Sequence, residues 1–534
     1  MARIMIMCSA LLAAALINGC TGVTSARNPN TTPASNGTPA SPPAPGVSSP
    51  TCGSTAMNIV LPVNYEPEQT PPPIGAYYKG QFRCNALRIA NGVHEYSVMA
   101  AFSQNDTYFV AFACVDSSGA DVLCPGAFTE TRIYRTADGG VECKLPGLGS
   151  SNEVRWDRFT DSRFWYHEGN QLFTGDASQQ RPGDPTSCTS GTLYDTITRY
   201  QAISFGGGSD DISDDGDHFF IANSYPSAGV YGGALYTISS KTLGTELNGG
   251  KIGQHIWAKN GHVLSNNNIE VIFSSPPNVG TEIYNGFSGT FLRDVTPGWY
   301  PSHDASGKDA DGGPILATNT ANDPNPATDC VTNFSIEKIN LNTGLKTCIM
   351  PNGNTTLGGH YSINNQGAAR FNVLISADSD GYSALPWSSY AQWQSSHAYM
   401  AGDYVVPTTD NKEFYRALSS GTSGSTQPVF LTDNSNTPDG QISWQMVGPT
   451  LSPSWQTGWN VYTNELILVP FDASATTRVI QTMTRDTALY NNGARATISR
   501  SGKYVLMDSN FGIDAAPSGG STGGGWSVYL VRLW

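Results

Sequence analysis

Hydrophobic positions along this chain fall in short runs bounded by turn residues, with no long helical period. Asp211-Ile-Ser-Asp-Asp-Gly216 leads into His218-Phe-Phe-Ile-Ala-Asn, and His303-Asp-Ala-Ser306 leads through Asp311-Gly312 to Pro314-Ile-Leu-Ala-Thr. His360-Tyr-Ser-Ile-Asn-Asn-Gln-Gly367 precedes Phe371-Asn-Val-Leu-Ile-Ser, and Ala496-Thr-Ile-Ser-Arg-Ser-Gly502 precedes Tyr504-Val-Leu-Met-Asp-Ser. Weaker copies begin near Tyr96, Val154 and His255. A Ser/Asp/Asn-Gly cluster supplies a turn, and the apolar run behind it reads as a buried strand. Segments such as Gln171-Leu-Phe, Ala234-Leu-Tyr-Thr-Ile and Glu465-Leu-Ile-Leu-Val-Pro-Phe alternate like half-buried outer strands.

The copies start near residues 96, 154, 211, 255, 303, 360 and 495, and the first six are 44 to 58 residues apart. That spacing suits one four-stranded blade per copy. The expected fold is all-β: a seven-bladed β-propeller, its last blade completed by a strand near Asn58-Ile-Val-Leu beside Val528-Tyr-Leu-Val-Arg. The competing architecture is a pair of β-sandwich domains, which the even composition from 60 to 380 argues against. The long gap from 360 to 495 holds a segment of different character, expected to be a small inserted β module. The organisation read from sequence is 1–20 signal peptide, 21–54 disordered tether, 55–386 first part of the propeller, 387–450 inserted module and 451–534 last part.

The beginning of the chain sets the expected compartment. Arg3 precedes the apolar stretch from Ile4 to Ile17, and Asn18-Gly19-Cys20 follows, the layout of a secretory signal. Ile17-Asn18-Gly19-Cys20 also resembles a bacterial lipobox, with Cys20 as the lipidated residue. The expectation is an extracytoplasmic, outer-membrane or cell-surface lipoprotein, held to the membrane through its N-terminal lipid only; full secretion is the alternative. Residues 21–54 are Ser, Thr, Pro, Asn, Gly and Ala, with little apolar bulk to bury.

Eight cysteines remain after Cys8 and Cys20, an even number that suits disulfides in an exported chain. Cys114 with Cys124, and Cys330 with Cys348, are the nearest pairs across hairpin-sized loops. Charged residues make up 13% and the net charge is −14, which excludes nucleic acid as a partner because phosphates require a basic face. A monomer is expected.

The insert reads Gln392-Trp393, Tyr399, Gly402-Asp403-Tyr404-Val405, Phe414-Tyr415-Arg-Ala417, Pro428, then Asp439-Gly440-Gln-Ile-Ser-Trp444. This pattern resembles the small chitin-binding modules of bacterial chitinases and phage-associated surface proteins. The resemblance implies carbohydrate-binding roles for Trp393, Tyr404, Tyr415, Phe430 and Trp444. The alternative for Trp393, Tyr415 and Trp444 is the module's own core, leaving Tyr404 and Phe430 as exposed rings that stack on sugars.

The repeats resemble a broad group of bacterial secreted propellers that includes the oligogalacturonate lyases. In that group, histidines hold a metal and a His/Arg pair serves β-elimination from a uronate. The resemblance makes His303, His360 and Arg495 the catalytic candidates and His255, His303 and His360 the candidate metal ligands. The sequence fixes no cofactor; a divalent ion such as Ca²⁺ or Mn²⁺ would suit those histidines. The alternatives are histidines that hydrogen-bond neighbouring blades and an Arg495 ion pair with Asp211. The acidic run Asp210, Asp211, Asp214, Asp215 and Asp217 reads as a solvated or Ca²⁺-binding loop. The leading functional expectation is a surface protein that binds a polysaccharide. A polysaccharide lyase or glycoside hydrolase at the propeller mouth is the alternative, and a non-catalytic scaffold the third.

Overall fold

The computed structural model describes residues 52, 72–79, 84–94, 100–122, 130–145, 148, 154–206, 212–223, 232–247, 261–275, 278–301, 304–330, 335–350, 358–363, 372–378, 387, 390–411, 413–431, 436–449, 465–473, 477–482, 494–509 and 526–533. All belong to one compact unit, residues 48–534. Among the described residues, regular structure is strand. Antiparallel pairing among them defines seven successive four-stranded groups, called sheets below, three of which join edge to edge in one 12-stranded sheet through a parallel contact between Lys144 and Ser187 and through the strand Asn85–His94.

The first sheet takes residues 92–94, then Tyr108–Ala113, Glu130–Arg135 and Val141–Leu145. The second is Arg155–Trp156, Arg163–Glu168, Gln171–Arg181 and Asp184–Thr196. The third runs Ile203–Phe205, His218–Asn223, Gly233–Thr237 and Thr242–Leu243; the fourth Gly261–Val263, Asn268–Ser275, Asn278–Asn285 and Phe291–Asp294. The fifth is Asp304–Lys308, Pro314–Asn319, Ile336–Asn340 and Lys346–Met350; the sixth Gly358–Ile363, Asn372–Asp378, Glu465–Pro470 and Thr477–Gln481. The seventh joins Thr497–Ile498, Tyr504–Ser509 and Ser527–Arg532 to residues 86–91.

That last pairing corrects the sequence reading. The strand beside Val528 is Asn85–His94, whereas the expected Asn58 segment lies outside the described residues. Asn85–His94 serves two sheets: Ala86 to Asn91 pair with the last strand, and Gly92 to His94 pair with Ala113 to Ala111 of the first sheet. Gly92 makes the crossing possible. Its φ is +149°, and a Cβ there would meet Phe112 O at 1.9 Å, so no side chain fits.

A recurring turn explains why the repeat was legible. Between first and second strands, Asp106, Gly216, Asn267, Gly312 and Gly502 each donate a backbone N–H to the carbonyl three residues earlier, and each has φ between +59° and +80°. Asp, Asn and Gly are the residues that tolerate this left-handed conformation. The Ser103, Ser213 and Ser499 hydroxyls accept N–H groups from the starts of the next strands, Tyr108, His218 and Tyr504.

Apolar cores lie between consecutive sheets. Leu374, Leu466 and Val479 of the sixth pack on Val505, Met507 and Tyr529 of the seventh, while Phe164 and Trp156 of the second join Phe109 of the first and Leu506 of the seventh. Second strands such as His218–Asn223 and Tyr504–Ser509 are buried along their whole length because a neighbouring sheet covers each face. This is the architecture of a β-propeller.

The insert between the second and third strands of the sixth sheet folds as a four-stranded sheet, Tyr404–Val405, Glu413–Ala417, Ile442–Pro449 and Thr437–Asp439, with a two-stranded pair, Ala398–Tyr399 and Gly421–Thr422. Disulfides join Cys52 to Cys84, Cys143 to Cys188 and Cys330 to Cys348. The last is the pair expected from spacing; Cys114 is also disulfide-bonded, and Cys124 lies outside the described residues. Such bonds persist in oxidising compartments and place the protein outside the cytoplasm.

Candidate functional site

First strands of successive sheets lie side by side. Ser362 Oγ of the sixth accepts the Ile498 N–H of the seventh at 3.1 Å and lies 3.3 Å from Thr497 Oγ1. Trp156 Nε1 of the second donates to Ala101 O of the first at 3.0 Å. Polar residues on these strands therefore meet polar residues of the next sheet.

At the junction of the seventh and first sheets, His94 Nδ1 is 2.7 Å from Asp508 Oδ1, and both side chains are almost wholly buried. With the Asp508 carboxylate accepting at Nδ1, a neutral His94 keeps its lone pair on Nε2. That nitrogen is buried and has no hydrogen-bond partner among the described residues. The register that pairs Thr497 with Leu506, continued two residues, sets the half-buried Arg495 across from Asp508. His360, buried on the first strand of the sixth sheet, pairs with Ser376, whose hydroxyl accepts the Ala496 N–H at 3.3 Å. His360 thus lies on the first strand of the sixth sheet, and Arg495 two residues before the first strand of the seventh, whose second strand carries Asp508. His255 and His303, expected to complete the metal set, lie outside the described residues.

Sequence reading missed His94 because the repeat there was marked from Tyr96, just past it. The chemistry of the His94–Asp508 pair is acid–base: an imidazole oriented by its carboxylate.

A second buried histidine joins the fourth and fifth sheets. His262 Nδ1 is 3.0 Å from Glu270 Oε2 and 2.5 Å from Ser306 Oγ. Both partners approach one nitrogen, and the Ser306 hydroxyl also contacts Glu270 Oε2.

The acidic run is tied up in contacts between first turns. Asp214 accepts from Arg158 of the second sheet at 3.1 Å and from Lys308 of the fifth. Burial works against the Asp215 charge, but hydrogen bonds from Ser213, the Asp217 N–H, Asn267 and His218 outweigh it and pull the carboxyl down to about 2. Asp210 and Asp211 lie outside the described residues. Among the described residues no group of three or more His, Cys, Asp or Glu side chains is arranged to hold a metal.

In the module, Trp393, Tyr415, Phe430 and Trp444 form the core with Tyr399, Val405, Ala417 and Ile442. Phe430, expected at the surface, is buried: its ring centroid lies 4.4 Å from that of Tyr415 and 6.1 Å from that of Trp444. Asp439 Oδ2 accepts the indole N–H of Trp393 at 2.7 Å and of Trp444 at 2.8 Å, and Oδ1 accepts the Gly424 N–H at 2.7 Å. A module this small has few other apolar groups to bury, so its largest rings go inward. Tyr404 is half-buried beside Phe414, which stacks on the half-buried Tyr390 at 4.7 Å.

No known protein family matches the sequence, and no curated protein matches it. Among solved structures, the fold is similar to an oligogalacturonate lyase from Vibrio parahaemolyticus at 9% identity, over 86% of this chain and 96% of that one, with a TM-score of 0.41. It is similar to TolB from Acinetobacter baumannii at 11% identity, over 51% of this chain and 62% of that one, with a TM-score of 0.29.

Proposed function

We propose that this is an extracytoplasmic protein that acts on an anionic polysaccharide at its inner strands, lipid-anchored through Cys20, with its seven sheets closed as a seven-bladed ring. The His94–Asp508 pair carries this reading, because it leaves an oriented Nε2 that has no partner among the described residues, at the sheet junction to which Arg495 leads. In a β-elimination, Arg495 would face the uronate carboxylate. His94 Nε2 would take the proton from the carbon next to it, the C4–O bond would break, and a C4=C5 double bond would form. His360 would return a proton to the departing oxygen. The test is ultraviolet absorbance of the unsaturated product on uronate polymers, with His94→Gln and Arg495→Gln as controls. A flat trace with the wild type, or equal rates with His94→Gln, would sink the catalytic reading.

A second reading is glycan binding without chemistry, favoured by the half-buried Tyr390 and Tyr404, which flank the buried Phe414 on the module. Binding on a glycan array that survives Tyr404→Ala would remove these rings from consideration.

A further inference from the structure

Strand direction gives the described unit two distinct ends. In every sheet the first-to-second and third-to-fourth turns share one end; second-to-third connections and sheet-to-sheet crossings share the other. The module, inserted between second and third strands of the sixth sheet, belongs to the second end. The chain's N-terminal side belongs to the first. Residues 86–91 run antiparallel to Ser527–Arg532, so Cys84 lies by the finish of that strand. Cys52, bonded to Cys84, has its Sγ 2.8 Å from Arg532 O.

Exposed large apolar side chains gather at this turn end. Outside the module, the described residues hold eight: Ile74, Val141, Phe159, Leu193, Phe287, Phe291, Leu292 and Leu345. Phe159 stands in the first turn of the second sheet, Phe287 in the second turn of the fourth, and Leu345 finishes the second turn of the fifth. Val141, Phe291 and Leu292 begin fourth strands just after such turns. Six of the eight thus share one end, where a scatter of isolated residues would divide between both.

All but Val141 of the first sheet form a crescent over the second, fourth and fifth sheets, bridged across the third by its first turn. Phe159 and Phe287 flank one turn: a Cβ on Gly216 would meet Phe159 Cε2 at 2.4 Å, and Phe287 sits edge-on to His218 with centroids 5.4 Å apart. Next to Phe291 and Leu292, Arg293 donates to Asn342 O in the turn that carries Leu345. Phe159, Phe287 and Leu345 are 65%, 58% and 68% exposed, too open for packing within the chain to account for them.

We propose that this crescent is a lipid-contacting surface by which the turn end rests on the bilayer that anchors the protein. The inference rests on the proposed acylation of Cys20. Residues 21–51 join Cys20 to Cys52, a span of at most about 110 Å fully extended. An anchor on that leash holds the turn end near the surface, where the effective concentration of lipid is high. Phenylalanine and leucine side chains partition into the headgroup–acyl boundary without any cationic partner. The net charge of −14 disfavours anionic headgroups, so a zwitterionic surface is the fitting one. The module end then faces away from the membrane, toward a polymer in solution.

The test holds the chain from residue 21 onward, through an N-terminal hexahistidine tag, on phosphatidylcholine vesicles containing a nickel-chelating lipid. This anchors the protein whether or not Cys20 is acylated in the cell. An environment-sensitive dye is placed by Leu345→Cys on the crescent or by Val429→Cys on the module. With a nitroxide-labelled lipid present, the dye at 345 should lose half or more of its intensity and the dye at 429 should keep its own. Adding Phe159→Ser and Phe287→Ser, both at exposed positions, should restore emission at 345. No quenching at 345, or equal quenching at both sites, overturns the lipid contact. The mass of the native N-terminal peptide reports separately on acylation. An unmodified Cys20 would remove the bilayer as the natural occupant even if quenching occurs.

Discussion

His94 Nδ1 and Asp508 Oδ1 lie 2.7 Å apart, and the same oxygen accepts the His94 backbone N–H at 3.1 Å. One carboxylate thus fixes both the backbone and the ring of a residue 414 positions away. Asp508→Ala leaves two buried donors unsatisfied and should lower stability by about 2–6 kcal/mol, at about 1–3 kcal/mol per group. Asp508→Asn retains an oxygen acceptor and should lose less. Urea denaturation of the two variants checks the order.

The module should depend on Asp439 more than on any one of its aromatic rings. Asp439→Ala strands two indole N–H groups and one backbone N–H in a core of eight residues. Fast hydrogen exchange across residues 390–449 is expected, with the strands of the sixth sheet still protected, because the module has its own core. Slow exchange throughout would show that Asp439 is dispensable.

Stability should fall as the pH rises from acid to mildly alkaline values, and Glu337 is the reason. Burial, and a hydrogen bond with Asp323, push Glu337 up to about 8 from 4.5, while Lys346 helps to hold Asp323 ionised. A group raised on folding stabilises fully below its unfolded value, and that contribution is lost as the pH climbs through the folded one. Glu337→Gln should flatten the slope of the urea midpoint between pH 5 and about 8. An unchanged slope would assign the proton elsewhere.

Cys143 and Cys188 close a separation of 45 residues and tie the first sheet to the second. Replacing both with serine should lower stability by about 4 kcal/mol, from the lost constraint on the unfolded chain. A calorimetric midpoint within experimental error of the wild type would count against that account.

The first turns were legible because each combines a side-chain acceptor with a residue that tolerates positive φ, and a fully apolar strand follows. Cys330–Cys348 was legible because a short hairpin brings its ends together. The strand at Asn85–His94 was not, since its pattern is set by two sheets at once and Gly92 interrupts it. Nor was His94, whose significance depends on a carboxylate at the far end of the chain. In the module, Trp393, Tyr415 and Trp444 take the core positions that the sequence reading also offered them, and Phe430, read as exposed, joins them. The signal that separates core from sugar-facing rings was present in the sequence: Asp439 stands five residues before a tryptophan that needs an acceptor for its N–H when buried.

The seventh sheet draws strands from both ends of the chain, and this sets the order in which the molecule can be finished. Until Ser527–Arg532 has been synthesised, the edge of residues 86–91 that it will cover stays open to any other growing polypeptide, although Tyr77 and Tyr78 already pair with Leu87 and Ala86. Loss of Ser527–Arg532 would therefore part residues 86–91 from Tyr504–Ser509 and open the seventh sheet. For a polypeptide that crosses a membrane before it folds, the same delay is useful: the clasp cannot shut while either end is still inside.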